Sequence, residues 1–141
     1  MADAASESIF TKIIRGEIPC HGVFENDHML ALLDITPLSE GHTLVVPKRQ
    51  VERLEDLPPD EVAEIARHLG AIARRVLAVT GAEGYNVLQN NGKVAGQEVP
   101  HVHFHIIPRR AGDGLGYRWN AKPAAPEALA DLAKRINAAD A

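Results

Sequence analysis

Apolar residues recur along the chain with two periods, which divide it into helices and short strands. Apolar positions at helical spacing follow a capping Ser8 from Ile9 to Arg15 and predict a short first helix. A long apolar stripe runs through residues 58–81, from a Pro-Pro-Asp-Glu start to a glycine, and predicts the main helix. The same spacing in residues 126–139 predicts a third helix at the end of the chain.

Short apolar runs between these helices predict about five strands. The runs Val23 to Glu25 and Met29 to Leu33 are separated by polar residues and are typical of a hairpin. Further strands are expected at Leu44 to Pro47, at Tyr85 to Gln89, and from His101 until Pro108 stops it. This order predicts an α+β domain with a mainly antiparallel sheet and one long helix on one face. We assign residues 1–141 to a single domain, because a chain of this length builds one core.

The strand predicted at His101 has two chemically different faces. His101, His103 and His105 alternate with apolar residues, and same-face neighbours on a strand lie roughly 6.5–7 Å apart. Two charged rings at that separation would repel by about 2 kcal/mol at an effective dielectric near 20, so the row should be mostly uncharged at neutral pH. Neutral imidazole can act as a nucleophile, a base or a metal ligand, and the pattern leaves these possibilities open. The apolar partners should face the long helix, which directs the histidines towards the open side of the sheet, where a cleft can form.

Two other polar residues stand at strand ends, where ligands often bind. Asp34 follows an apolar strand, although an aspartate that forms a turn fits the pattern as well. His42 begins the next strand beside a glycine, and a structural histidine is the alternative. An Asn-Asn-Gly sequence at 90–92 opens a loop with free backbone amides before the histidine row.

Composition restricts the function further. The net charge of −4 and the pI near 5.9 argue against non-specific binding of nucleic acid, so an anionic ligand must be held locally. A single cysteine, Cys20, excludes an internal disulfide and favours the cytosol. The first residues, MADAASES, lack the basic and apolar character of a secretion signal, and the longest apolar run, Met29 to Leu33, is too short to span a bilayer. We therefore expect a cytoplasmic protein that binds neither nucleic acid nor membrane.

The sequence HVHFHIIPR from His101 to Arg109 resembles the signature of the histidine triad (HIT) family. The surrounding sequences agree: LLDITP at 32–37, GHTLVVPK at 41–48, and NNG followed by GQEVPHVHFHIIPR. The likeness extends from Ile9 to Trp119 and is closest to the Hint-like and bacterial branch. It implies a HIT-like fold and a homodimeric phosphoramidase that acts on adenosine monophosphoramidates and lysyl-adenylates. Its ligand would be a purine nucleoside monophosphate, as the phosphoramidate or adenylate.

The resemblance also implies catalytic roles. His103 would attack the α-phosphorus and become nucleotidylated, and water would then release the nucleoside monophosphate. His105 and the amides of the loop at 96–99 would stabilise charge on the non-bridging oxygens. His101 and His42 would orient the row. Which histidine protonates the leaving group stays open.

Nucleotide-binding positions follow from the same resemblance. Asp34 would hold the ribose hydroxyls, and Glu98 would lie near the scissile phosphate where the Hint branch has a serine. The implied base pocket comprises Ile9, Phe10, Ile14, Leu32 and Ile35, and the implied phosphate-side loop comprises Asn90, Gly96, Gln97 and Val99. For the apolar positions, ordinary core packing is an equal alternative.

Zinc is not expected, in contrast to many bacterial relatives. Those proteins have cysteines at the positions of Ser8 and Thr11 and a histidine at the position of Gln50, which together form a structural zinc site. We predict neither a metal nor a cofactor. Three alternatives remain: a dinucleoside polyphosphate hydrolase of the Fhit type, a zinc-dependent hydrolase that uses the same imidazoles, and a non-catalytic nucleotide-binding protein.

Overall fold

A computed structural model describes residues 6–116 and 121–140 of the chain. Its helices and strands are α1 Ile9–Ile14, β1 Gly22–Glu25, β2 Met29–Leu33, β3 Thr43–Pro47, α2 Pro59–Thr80, β4 Gly84–Gln89, β5 Phe104–Arg109 and α3 Pro126–Ala138. Short 3-10 turns lie at Leu54–Asp56 and at Lys93–Ala95, the second within the loop that the sequence predicts after residues 90–92. The predicted elements are all present, with ends displaced by a few residues.

The strands form one five-stranded sheet in the order β1-β2-β3-β5-β4, and every neighbouring pair is antiparallel. The predicted α+β fold with a mainly antiparallel sheet is therefore confirmed. Strand β5, which carries part of the histidine row, lies inside the sheet between β3 and β4. His105 therefore has a neighbouring strand on each side, with Leu44 of β3 and Leu88 of β4 opposite it.

Local side-chain chemistry accounts for the ends of several elements. The Oγ of Ser8 accepts a hydrogen bond from the Thr11 N–H at 3.0 Å and caps α1 as predicted. The Oδ1 of Asn26 accepts from the N–H groups of His28 and Met29 at 2.8 and 3.0 Å and holds the β1–β2 hairpin. Gly81 ends α2 at φ 70°, a left-handed conformation that suits glycine.

The sheet separates two apolar clusters, one on each face. On one face, Ile65 and Ile72 of α2 pack with Val102 and Ile106. On the other face, Phe10 of α1 packs with aliphatic residues of β2 and β3. The prediction that the apolar partners of the histidines face the long helix is confirmed, because Phe104 also packs against the α2 cluster. The histidines consequently lie on the face that α1 covers.

The extent of the histidine strand was predicted incorrectly at both ends. The strand begins at Phe104, because Val102 N–H donates to the Val51 carbonyl at 2.8 Å instead of continuing the ladder towards Pro47, which has no N–H. It also continues through Pro108 to Arg109. Proline is tolerated there because the β3 register ends at Ile106, so no strand on that side requires its N–H.

The C-terminal helix α3 leaves its apolar stripe largely in solvent. Leu129, Leu132 and Ile136 are 54%, 44% and 62% exposed. Residues 110–116 and 121–125 form neither helix nor strand, and the Trp119 end of the family likeness lies outside the described residues. No helix in the described ranges is long and apolar enough to cross a membrane.

Candidate active site

A cleft of about 580 Å³ opens between α1 and the histidine face of the sheet. Its volume falls within the usual range of small-molecule sites. Of the four predicted catalytic histidines, His42, His103 and His105 line it, and His101 does not. The predicted nucleotide-binding residues that line it are Ile9, Phe10, Leu32, Asp34, Ile35, Asn90, Gly96, Glu98 and Val99. Ile14 packs beside the α1 cluster instead.

The hydrogen bonds of His103 determine which of its nitrogens has a lone pair. Its Nδ1 lies 2.7 Å from the main-chain oxygen of His101. A carbonyl oxygen only accepts hydrogen bonds, so Nδ1 carries the hydrogen and Nε2 of the neutral ring keeps its lone pair. Burial lowers the pKa of His103, although the bond to His101 and the charges of Asp34 and Glu98 raise it in part. The ring is therefore an uncharged nitrogen nucleophile at neutral pH.

Hydrogen bonds also determine which nitrogen carries the hydrogen in His42 and in His105. The Leu38 N–H donates to His42 Nδ1 at 3.0 Å, so His42 carries its hydrogen on Nε2. That Nε2 lies 2.9 Å from His105 Nδ1 and donates to it. His105 consequently carries its own hydrogen on Nε2. Such an N–H can stabilise charge that develops on a bound oxygen.

His101 is fully buried, and its ring connects two separate segments of the chain through hydrogen bonds. Its Nε2 donates to the Pro47 carbonyl at 2.8 Å, and its Nδ1 accepts from the Ser8 hydroxyl at 2.6 Å. The edge of its ring meets Phe10, with 5.6 Å between the ring centroids. The predicted orienting role has a structural basis in its carbonyl, which holds His103, rather than in its imidazole.

The row is uncharged, as predicted, but mainly for a different reason. In all four histidines the pKa is lowered, and burial is the largest cause in each. For His105 the pKa falls to about 4, through burial first and then through repulsion from His103 and His42. Mutual repulsion, on which the sequence argument depended, is the smaller effect.

The residues at the zinc positions of relatives form a hydrogen-bonded cluster. Gln50 Oε1 accepts from the Ser8 N–H at 2.9 Å and from the Thr11 hydroxyl at 2.5 Å. With the Ser8 hydroxyl on His101, this cluster connects α1, the segment after β3 and the start of the histidine row. Neutral hydroxyl and amide oxygens replace the thiolates that structural zinc requires, so this set does not fit the ion.

A second set of possible metal ligands lies in the cleft. Asp34, His42 and His105 each offer one donor atom, and these atoms lie within 4.8 Å of one another. However, His42 already uses its Nδ1 lone pair to accept the Leu38 N–H, and its Nε2 carries the hydrogen. Binding a metal through His42 would require either loss of that bond or an imidazolate. The set as it stands is therefore a poor metal site.

Asp34 and Gln97 occupy different environments, although both were predicted to bind nucleotide. Asp34 Oδ1 accepts from the Thr36 N–H at 2.9 Å, and its Oδ2 lies 3.7 Å from His42 Nε2 at the edge of the cleft. The Gln97 side chain is buried and donates to the carbonyls of Glu52 and Val99 at 2.7 and 3.0 Å. Gln97 does not line the cleft but shapes the loop that does, and its contact with a nucleotide stays a prediction.

Sequence reasoning missed several groups that organise the site. The Leu38 N–H and the Pro47 carbonyl fix two of the histidines, and nothing in a sequence marks a backbone group for such a role. Thr36 could have been found, because Asp-x-Thr is a signal for a turn closed by the aspartate side chain. Further walls of the cleft that were not predicted are Ile13, Ile18, Pro19, Cys20, Leu33, Leu38, Leu44, Leu88 and Ile107.

Known proteins resemble this chain in sequence and in structure. A family model described as the HIT domain matches residues 15–112. An adenosine 5'-monophosphoramidase of Schizosaccharomyces pombe is 43% identical over 130 residues, which cover 92% of this chain and 95% of that protein. An uncharacterised HIT-like protein of Methanocaldococcus jannaschii is 55% identical over 106 residues, or 75% of this chain and 81% of that one. The crystal structure of a HIT family member from Bacillus subtilis aligns with a TM-score of 0.89 at 39% identity, covering 95% of this chain and 97% of that chain.

Proposed function

The chain belongs to the HIT family, and from this premise we propose that it hydrolyses nucleoside phosphoramidates by way of a nucleotidyl-histidine intermediate. Its substrate is a purine nucleoside monophosphate, taken to be AMP, joined through nitrogen to an amine. The observation that carries the proposal is the hydrogen bond from His103 Nδ1 to the His101 carbonyl, which leaves a nucleophilic Nε2 on a residue of the cleft.

The proposed reaction has two displacements at phosphorus. In the first, the Nε2 lone pair of His103 forms a bond to phosphorus while the bond to the leaving nitrogen breaks. The electron pair of that bond goes to the nitrogen, which takes a proton from a histidine of the cleft and leaves as an amine. In the second, water forms a bond to the same phosphorus while the bond to His103 Nε2 breaks and its electron pair returns to the ring. Water gives up a proton that replaces the one passed to the amine, and the nucleoside monophosphate is released. Each step has a good nucleophile or leaving group, which lowers the barrier relative to direct attack by water on the amidate.

Other residues of the cleft support binding in this proposal. The Nε2–H of His105 donates to a non-bridging phosphate oxygen, because His42 already occupies its Nδ1. Asp34 keeps one carboxylate oxygen at the cleft edge for a ribose hydroxyl. Phe10 and the aliphatic walls hold the base. The Asn90 amide and the loop from Gly96 to Val99 lie on the phosphate side.

We extend the proposal to a homodimer. Strand β4 is one of the two edges of the sheet, and on the face that carries α2 it exposes Tyr85 and Val87 at 42% and 47%. An apolar edge strand is suited to pairing with a second copy of itself. Sedimentation equilibrium should give twice the mass of 15.3 kDa, and a monomer at micromolar concentration would contradict the dimer. The cytoplasmic location, the single-domain assignment and the lack of nucleic-acid or membrane partners remain predictions from sequence.

Replacement of His103 tests the proposed function. His103→Ala should lower the hydrolysis of adenosine 5'-monophosphoramidate by about a thousandfold or more, because it removes the nucleophile. Intact-mass spectrometry after mixing with substrate should reveal a nucleotidylated wild-type chain and an unmodified variant. Circular dichroism of both proteins would establish that the variant is folded.

His28→Ala is the matched control, because His28 is exposed and does not line the cleft. It should keep the wild-type rate. Full activity in His103→Ala would refute the assignment of the nucleophile. Turnover of diadenosine tri- or tetraphosphate faster than the amidate would identify the Fhit-type activity instead, and nucleotide binding without turnover would identify a non-catalytic binding protein.

A further inference from the structure

The charged side chains that line the cleft, among the described residues, are all acidic. Among the described residues, its lining contains two acidic side chains, Asp34 and Glu98, and no lysine or arginine. The three histidines in the lining are uncharged, because burial lowers the pKa of each. The cleft therefore holds no fixed cation that could neutralise a chain of phosphates, and it has a negative field.

The two acids differ in what they contact. Asp34 accepts hydrogen bonds from the N–H and hydroxyl of Thr36 at 2.9 and 3.2 Å and stands beside His42. Glu98 is exposed, and its carboxylate forms no hydrogen bond or ion pair with the described part of the chain. Both carboxylate oxygens of Glu98 are thus available to a bound group, whereas Asp34 has one oxygen bonded to Thr36.

Glu98 also has a distinct position. Together with Ile9 and Val99 it lines both the cleft and a neighbouring groove of about 560 Å³ that follows the start of α1. Neither Asp34 nor His42 lines that groove. Since Asp34 marks the ribose side in the proposed function, Glu98 stands on the side where the leaving group would extend.

We propose that Glu98 is a specificity-determining residue that selects neutral and cationic amine leaving groups and rejects anionic ones. This inference rests on the proposed function, which it makes more specific. The negative charge of Glu98 is close enough to His103 to raise the pKa of that imidazole, so it also reaches atoms bonded to the phosphorus that His103 attacks.

The chemistry of the leaving group explains the selection. When the bond between phosphorus and nitrogen breaks, its electron pair goes to nitrogen, and the proton that nitrogen takes makes it a neutral amine. An alkylamine then takes up a second proton at neutral pH and becomes a cation, since such amines have pKa values of about 10. A phosphate leaving group instead carries negative charge into the same position. A nearby carboxylate stabilises the first and repels the second.

Three AMP amidates that share the same phosphorus–nitrogen bond would test this selection. Their amine substituents have equal length and end in an ammonium, a methyl or a carboxylate group. The wild-type protein should give the highest kcat/KM with the ammonium and the lowest with the carboxylate. Glu98→Gln should reduce the ratio of the cationic to the anionic substrate by about five- to tenfold, the size expected for two exposed charge pairs. The effect should shrink as salt is added.

Glu127→Gln is the matched control. It also removes one exposed carboxylate, but Glu127 lies in the first turn of α3 and lines neither the cleft nor the neighbouring groove. It should change the ratio by less than about twofold. An unchanged ratio in Glu98→Gln, or an equal change in both variants, would overturn the inference while hydrolysis of the amidates upholds the proposed function. If the wild-type protein hydrolyses none of the three amidates, the proposed function itself fails.

Discussion

The Ser8 hydroxyl connects the first helix to the buried end of the histidine row. It accepts from the Thr11 N–H at 3.0 Å as the cap of α1 and donates to His101 Nδ1 at 2.6 Å. Both Ser8 and His101 are buried, so water cannot replace either partner. Ser8→Ala removes both bonds and little volume.

The magnitude follows from the two lost contacts. Loss of a serine cap costs about 0.5–2 kcal/mol. A buried imidazole nitrogen without a partner costs about 1–3 kcal/mol. Ser8→Ala should therefore lower the free energy of unfolding by about 2–4 kcal/mol. Ser8→Gly also removes the hydroxyl, but glycine at a cap loses only a few tenths of a kcal/mol, so this variant should isolate the cost at His101.

Urea denaturation followed by circular dichroism would measure these differences. Ser39→Ala is a suitable comparison, since its hydroxyl makes one bond, to the Pro108 carbonyl at 2.7 Å, worth about 0.5–1.5 kcal/mol. The reasoning is refuted if Ser8→Gly unfolds with the wild-type free energy while Ser8→Ala loses about 1 kcal/mol. That result would mean that the hydroxyl acts only as a cap and that His101 does not depend on it.

Three further outcomes are expected. Burial lowers the pKa of His103 below 6.5, so kcat/KM should be constant above that pH and fall as acid protonates Nε2; an acid limb centred above pH 6.5 would contradict this. Activity should persist after dialysis against a chelator, because the histidines bond to one another and to carbonyls; loss that zinc restores would disprove it. Gly41→Ala should cost about 2–4 kcal/mol in thermal or urea unfolding, because a Cβ at φ +89° would lie 2.8 Å from Thr80 Cγ2. Gly70→Ala, with nothing within 4 Å, should stabilise α2 by about 0.5–1 kcal/mol, and similar losses in both variants would refute the clash.

Local rules were sufficient for most of the secondary structure. The Ser8 cap, the Asn26 turn and the glycine after α2 act within a few residues, so the sequence shows them directly. The prediction of the histidine strand was wrong where a residue distant in the sequence supplies the hydrogen-bond partner. Whether His101 joins a ladder depends on Val51 and Pro47, which lie about fifty residues away in the chain.

The candidate site could be predicted from the sequence in part. Period-2 alternation placed the histidines opposite the long helix, and the family likeness located just over half of the residues that line the cleft. Gln97 shows the limit, because its amide is used up by the carbonyls of Glu52 and Val99 and the N–H of Gly92. Residue type alone does not reveal whether an amide faces a ligand or its own loop.

Taken by itself, the sequence determined that the histidines alternate with apolar residues and share one face of the sheet, since side-chain alternation is a property of the extended backbone. Only the tertiary structure decided the tautomer and the charge of each ring. The hydrogen on His101 depends on Ser8, 93 residues earlier, and that on His42 depends on the Leu38 N–H and on His105, 63 residues later. A tautomer follows from the partners that the fold brings to each nitrogen, and burial, which keeps the row uncharged, exists only once the sheet and α1 have come together.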